Sequence, residues 1–140
     1  MILDEFFAHN FILYPTHNIL INFSFYIIIL YIPITCFHEF IHGSTYKIFG
    51  GKVKYGFKGI YAFTQEVSGK PVSRTEFLII LLSPVVIISL LSLIFNNWLV
   101  HMIFLLNVLG SSGDILMSLY LARINYKSKI IDKSYGFDYI

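Results

Sequence analysis

With a single cysteine, Cys36, the chain cannot close an internal disulfide, so no covalent staple substitutes for packing. Charge is equally scarce. Only 13% of the 140 residues are Asp, Glu, Lys or Arg, and the net charge is +2. That surplus is too small and too scattered for a nucleic-acid surface, and no nucleic-acid partner is expected. Asp4 and Glu5 stand where a removable signal peptide would carry basic residues, so none is expected. No repeat, low-complexity tract or linker divides the chain, and residues 1–140 read as one domain.

What is present is apolar. Residues of the hydrophobic class make up 56% of the chain, and the mean hydropathy is +0.72, which points to a membrane protein. Ile19–Phe37 carries no charge and is long enough to cross a bilayer as a helix. It should run on to about Phe49, where Gly50-Gly51 stops it. Pro33 inside it predicts a bend one turn before His38. Phe77–Phe95 is a second uncharged span, broken at Ser83-Pro84. Asn96-Asn97 turns the chain, Trp98 reads as an interfacial aromatic, and Trp98–Ala122 is a third span. Met1–Asn18, with Phe6, Phe7, Phe11, Ile12 and Tyr14, reads as an interfacial segment with His9 and His17 as surface residues.

The one long polar stretch lies between the first two spans. Lys52 to Val67 alternates in polarity around Lys58-Gly59 and predicts a β-hairpin, with Ile60–Val67 as its second strand. The competing reading is an irregular basic loop at the headgroups. The tail from Arg123 is mixed polar and aromatic. The expected fold class is mainly α, a polytopic membrane protein. It has three transmembrane helices, an interfacial N-terminal segment and a short β-hairpin between helices 1 and 2.

Lysine and arginine fix an expected orientation. The segment from Gly43 to Thr75 and the tail carry all ten of them, while the amino end has only Asp4 and Glu5. The positive-inside rule then puts the amino end outside and the basic loop and carboxyl end in the cytoplasm, in the cell membrane of a prokaryote.

The chemistry centres on His38-Glu39-Phe40-Ile41-His42. Two histidines four apart share a helical face and can reach one zinc ion, with Glu39 placed to take a proton from a water the zinc activates. At this composition the pattern arises by chance on the order of half a percent of the time. The bland alternative is a polar turn where a helix meets water. His38 and Asp114 each lie nine residues inside their span from the cytoplasmic edge, about 13 Å of helix rise. Pro84 sits about 10 Å in from the same side. A carboxylate at that depth needs a partner, and zinc on His38 and His42 would supply it, leaving a fourth position open. The alternative for Asp114 is a carboxyl held protonated or bonded within the bundle. Asn107, seven residues before Asp114, shares its face and could hold substrate backbone or a developing oxyanion, or could serve helix packing. Cys36 reads as a small buried apolar residue and His101 as an outer-surface one.

These pieces resemble the site-2 protease class of intramembrane zinc metalloproteases, and especially the short membrane zincins related to it. The resemblance rests on His38-Glu39-Phe40-Ile41-His42, Ser83-Pro84, and Asn107 with Ser112-Gly113-Asp114, and spans roughly Phe37 to Tyr120. The better-known members carry Asp followed by Gly, whereas here Gly113 precedes Asp114. The resemblance implies a three-helix catalytic core with the third zinc ligand on the last helix, cutting peptide bonds in or near the membrane. The expected cofactor is one Zn2+ held by His38, His42 and Asp114, with Glu39 catalytic. Expected partners are the lipid bilayer and a membrane-embedded or membrane-associated peptide, whose extended segment could pair with the hairpin edge; a homo-oligomer is compatible with this. The rival functions are a non-catalytic metal-binding or transport protein, and a membrane immunity or anchoring module with a vestigial site.

Overall fold

A computed structural model describes residues 16–59, 61–95, 98–133 and 136–140. Among them are four helices and two small sheets. Helix α1 spans Ile19–Ile48, β1 Val53–Lys58, β2 Tyr61–Glu66, β3 Val72–Ser73, α2 Arg74–Ile94, α3 Trp98–Gly110, α4 Ser112–Leu121, β4 Lys129–Lys133 and β5 Gly136–Tyr139. The interfacial segment expected over Met1–Asn18 and the Asn96-Asn97 turn lie largely outside the described residues, as does Ile60.

Local chemistry sets the ends of α1. The Asn18 side chain accepts from Leu20 N (3.0 Å) and Ile21 N (3.4 Å), satisfying donors that a helix start leaves orphaned. At the other end Gly50 adopts φ +78°, which only glycine takes without strain. Gly50 N then reaches Lys47 O (3.0 Å) and Gly51 N reaches Tyr46 O (2.9 Å), a Schellman closure. The helix is continuous across Pro33. Helix α2 opens on a capping box, Ser73 N donating to Glu76 Oε2 (2.6 Å) and Glu76 N to Ser73 Oγ (3.2 Å). It too runs unbroken through its proline, so the interruption expected at Ser83-Pro84 is not a break in the helix.

α1 and α2 are long and apolar enough to cross a membrane. On α2, Phe77, Ile80, Leu81, Pro84, Ile88 and Ser92 form a buried stripe at helical spacing. The opposite face is also apolar but exposed, as at Ile79, Val86, Leu90 and Leu93. A helix apolar all round suits lipid on one side and protein on the other. The third span, expected as one helix from Trp98 to Ala122, is instead two helices bent by 47° at Ser111. Ser111 Oγ bonds back to Asn107 O (2.7 Å), a contact that competes with regular helix at this point.

The hairpin is present. β1 and β2 pair antiparallel from Val53↔Glu66 to Lys58↔Tyr61, so Lys58 still belongs to the ladder and the chain turns after it, with Gly59 at φ +65°. The tail forms structure that its composition does not announce. β4 lies between β3 and β5, with Val72↔Ile130 and Ile130↔Tyr139 in register. Val72 and Ile130 join Tyr46, Phe77, Ile80, Leu81 and Leu121 in one buried cluster at the basic end of the bundle. Arg74 reaches across it, donating to Leu121 O (2.9 Å) and Ala122 O (3.2 Å) at the end of α4.

Candidate metal centre

Two helices, α1 and α4, bring His38, His42 and Asp114 together. His38 Nε2 and His42 Nε2 are 3.1 Å apart, and Asp114 Oδ2 lies 3.1 Å from the first and 3.4 Å from the second. Both histidines are buried, each 8% exposed. Their rings meet edge to face with centroids 4.8 Å apart, so the nitrogens rather than the faces converge.

The opposite ring nitrogens decide what those atoms are. His42 Nδ1 is 2.9 Å from the carbonyl oxygen of Ile80, an acceptor only, so Nδ1 carries the proton. His38 Nδ1 faces Asn107 Oδ1 at 3.2 Å. In the neutral rings each Nε2 is then a lone pair, and both lone pairs point at a carboxylate oxygen. Three acceptors at 3.1–3.4 Å repel one another unless a cation lies among them. A tetrahedral zinc shell with ligands at about 2.0–2.1 Å has edges of about 3.3–3.4 Å. The triangle matches that shell to within a few tenths of an ångström, and the donor set, two imidazoles and one carboxylate, is one that zinc takes.

The carbonyl that orients His42 is available for a specific reason. In a helix Ile80 O would accept from the N–H four residues on, but residue 84 is proline and has none. Reasoning from the sequence assigned Pro84 a break and missed this contact. The signal was present, because a proline in a helix marks the carbonyl four residues earlier as free.

Glu39 lies beside the triad. It lines a cavity of about 440 Å³ with His38, Asn107, Gly110, Gly113, Asp114 and the start of β2 at Tyr61 and Ala62. It also lines a second cavity, of about 270 Å³, shared with His42, Thr64, Asp114 and Asp132. Thr64 Oγ1 donates to the Glu39 backbone carbonyl (2.7 Å) and ties β2 to the motif. Gly43, next to His42, lets the hairpin approach, since a Cβ there would collide with the Tyr55 ring and hydroxyl. Asn107 is 1% exposed, and its Nδ2 has no hydrogen-bond partner among the described residues although the residue lines the larger cavity.

Other candidates stand apart. Cys36 is half-buried and outside the ligand group. His17 and His101 are exposed, and His9 falls outside the described residues.

A model of the family described as "Putative zincin peptidase" matches residues 28–129. The chain belongs to this family. The match covers most of the chain and takes in the paired histidines, the α2 carbonyl, Asn107 and Asp114. No curated protein and no solved structure matches it. Membership identifies the chain as a zinc metallopeptidase by family, and His38, His42 and Asp114 are grouped as a zinc site requires. A zincin with two or three membrane-length helices is a membrane-associated one.

Two further carboxylates lie on the strands, Asp132 on β4 and Glu66 on β2. Tyr46 Oη donates to Asp132 Oδ2 (2.8 Å). Burial pushes the Asp132 carboxyl above its ordinary range, and the bonds from Tyr46 and the N–H groups of Glu66 and Lys133 do not offset it. Burial also acts on Glu66. There the Ser68 hydroxyl and the N–H groups of Ser68, Lys52 and Gly69 outweigh it and hold the carboxyl below its usual range.

Proposed function

We propose that this zincin hydrolyses peptide bonds of membrane-embedded or membrane-associated substrates, with His38, His42 and Asp114 as the zinc ligands and Glu39 as general base. The observation that carries the reading is the convergence of two Nε2 lone pairs and a carboxylate oxygen at 3.1–3.4 Å, with both Nδ1 atoms tied elsewhere. Zinc bound there would supply Lewis acidity, lowering the pKa of a water to about 7 and polarising a carbonyl. Glu39 accepts the proton of the attacking water as its oxygen bonds to the peptide carbon. Glu39 then returns that proton to the amine nitrogen as the C–N bond breaks. Asn107 Nδ2, buried and without a partner, is the donor for a substrate carbonyl.

A transmembrane helix hides its amides in internal bonds, so the substrate must be extended to be cut. The edge for it is on β2. Val67 N bonds to Lys52 O (2.8 Å), which sets the alternation of the ladder so that the backbone groups of Tyr61, Phe63 and Gln65 point to β1. The N–H and C=O groups of Ala62 and Thr64 then face away from β1, and both residues line the smaller cavity with Glu39. The basic residues at this end of the bundle favour the cytoplasm, with the amino end outside.

The deciding experiment measures zinc per chain and cleavage of a model single-span substrate in the same detergent. One zinc per wild-type chain with cleavage supports the proposal. One zinc with an equally active Glu39→Gln variant would refute the mechanism, and zinc without any cleavage would favour a metal carrier.

A further inference from the structure

The geometry points to Pro84 as a positioning residue for the metal centre: it withholds a helix hydrogen bond from Ile80 O so that His42 Nδ1–H can take that oxygen. The inference rests on His42 being a zinc ligand.

Two features distinguish this from an incidental helix proline. Ile80 is 1% exposed, and a buried carbonyl must find a donor. It finds two within reach, His42 Nδ1 at 2.9 Å and Ser83 Oγ at 2.9 Å. Both carbonyl lone pairs are thereby used, and an N–H at position 84 would be a third claimant on the same atom. In addition, Thr45 Oγ1, one turn beyond Ile41 on α1, lies 3.0 Å from Ser83 Oγ. The Ser83-Pro84 pair therefore presents one carbonyl and one hydroxyl to successive turns of α1, and fixes that helix in rotation against α2. Pro33 is the internal control. The carbonyl it leaves free belongs to Ile29, which is 48% exposed on the apolar outer face, where no metal ligand lies.

With alanine at position 84 the helix bond to Ile80 O re-forms. His42 then loses its orienting acceptor or shares it, and its ring can turn or change tautomer. Removing such an outer contact typically lowers metal affinity by about 10–100-fold. Alanine is also the better helix former and adds a backbone bond, so metal-free stability should hold or rise. A proline serving only the fold would move affinity and stability in the same direction.

The test uses the full chain in detergent. Zinc affinity is measured by chelator competition, and metal-free thermal stability in parallel, for wild type, Pro84→Ala and Pro33→Ala. On the wild type, with 15N-histidine and 13C-carbonyl isoleucine, NMR looks for scalar coupling across the His42 Nδ1–H···O=C Ile80 bond. The expected result is coupling in the wild type, zinc affinity lowered about tenfold or more in Pro84→Ala without loss of stability, and no change in Pro33→Ala. Unchanged affinity in Pro84→Ala, or absence of the coupling, overturns the inference and leaves the proposed ligands standing. A wild type that binds no zinc overturns both. Should Pro84→Ala fail to fold, the wild-type coupling decides alone.

Discussion

Replacing Asn107 by leucine separates the metal centre from the stability of the bundle, because two buried terms oppose each other at this residue. Leucine keeps the branched shape of the side chain and removes both polar atoms. Losing Oδ1 strands the His38 Nδ1–H, now 3.2 Å from its acceptor, and a buried donor left alone costs about 1–3 kcal/mol. Losing Nδ2 removes a buried donor that is already unpartnered, which returns a similar amount, about 1–3 kcal/mol. The net effect on the metal-free protein is therefore close to zero. Zinc affinity has no such compensation. The contact that sets the His38 tautomer is gone, and affinity should fall about 10–100-fold, or about 1.4–2.7 kcal/mol. Chelator competition and denaturant unfolding of the metal-free chain measure the two quantities. At saturating zinc, a residual loss of about 10²–10³ in turnover would report the Nδ2 contact to a substrate carbonyl. Unchanged zinc affinity would refute this role for Asn107. So would a drop in metal-free stability of well over about 3 kcal/mol, since no buried term here is that large and unopposed.

Glu39→Gln should keep one zinc per chain while turnover drops by about two to four orders of magnitude, as metal analysis and substrate cleavage would show. Asp114→Ala should lose most of its zinc, and a zinc-replete variant would exclude Asp114 from the ligands. Proline at Thr64, where the N–H faces away from β1, should slow cleavage with zinc retained, whereas proline at Tyr55, on the far edge, should not; equal effects would remove β2 as the substrate edge. Glu66, with its depressed pKa, contributes stability that is present above its unfolded value and lost as pH falls through the folded one. Glu66→Gln should therefore flatten the acid limb of a stability–pH profile below about pH 4.3, and an unchanged limb would contradict that assignment.

The first two long helices, the stop at Gly50, the hairpin and the pairing of His38 with His42 on one face were legible because each depends on local pattern: uncharged runs, a glycine pair, alternation, and histidines at helical spacing. Equal depth in the spans led to Asp114, and the structure groups it with both histidines. The bend at Ser111 was not legible, since Gly110, Ser111, Ser112 and Gly113 are as compatible with close packing as with a break. The β4–β5 hairpin was missed because Lys129–Lys133 is short and its only apolar pair, Ile130-Ile131, has no alternation. That strand exists through tertiary contact, with Ile130 inserted beside Val72 and Leu121. Pro84 was noticed for what it breaks and not for the carbonyl it leaves free.

The order in which the ribosome delivers these parts has its own effect. His42 and Asp114 are 72 residues apart in sequence. At synthesis rates of about 5–20 residues per second, roughly four to fourteen seconds separate the histidine pair from its carboxylate. The Ile80 carbonyl arrives between them, so the emerging chain can set the His42 tautomer before it can complete the zinc triangle. The end of α4 away from Asp114 is gripped by Arg74, already made, but β4 follows later and only then closes the cluster around Leu121. A nascent chain halted before Asp114 would hold only a two-histidine half-site, and the triangle could close only once α4 has been made.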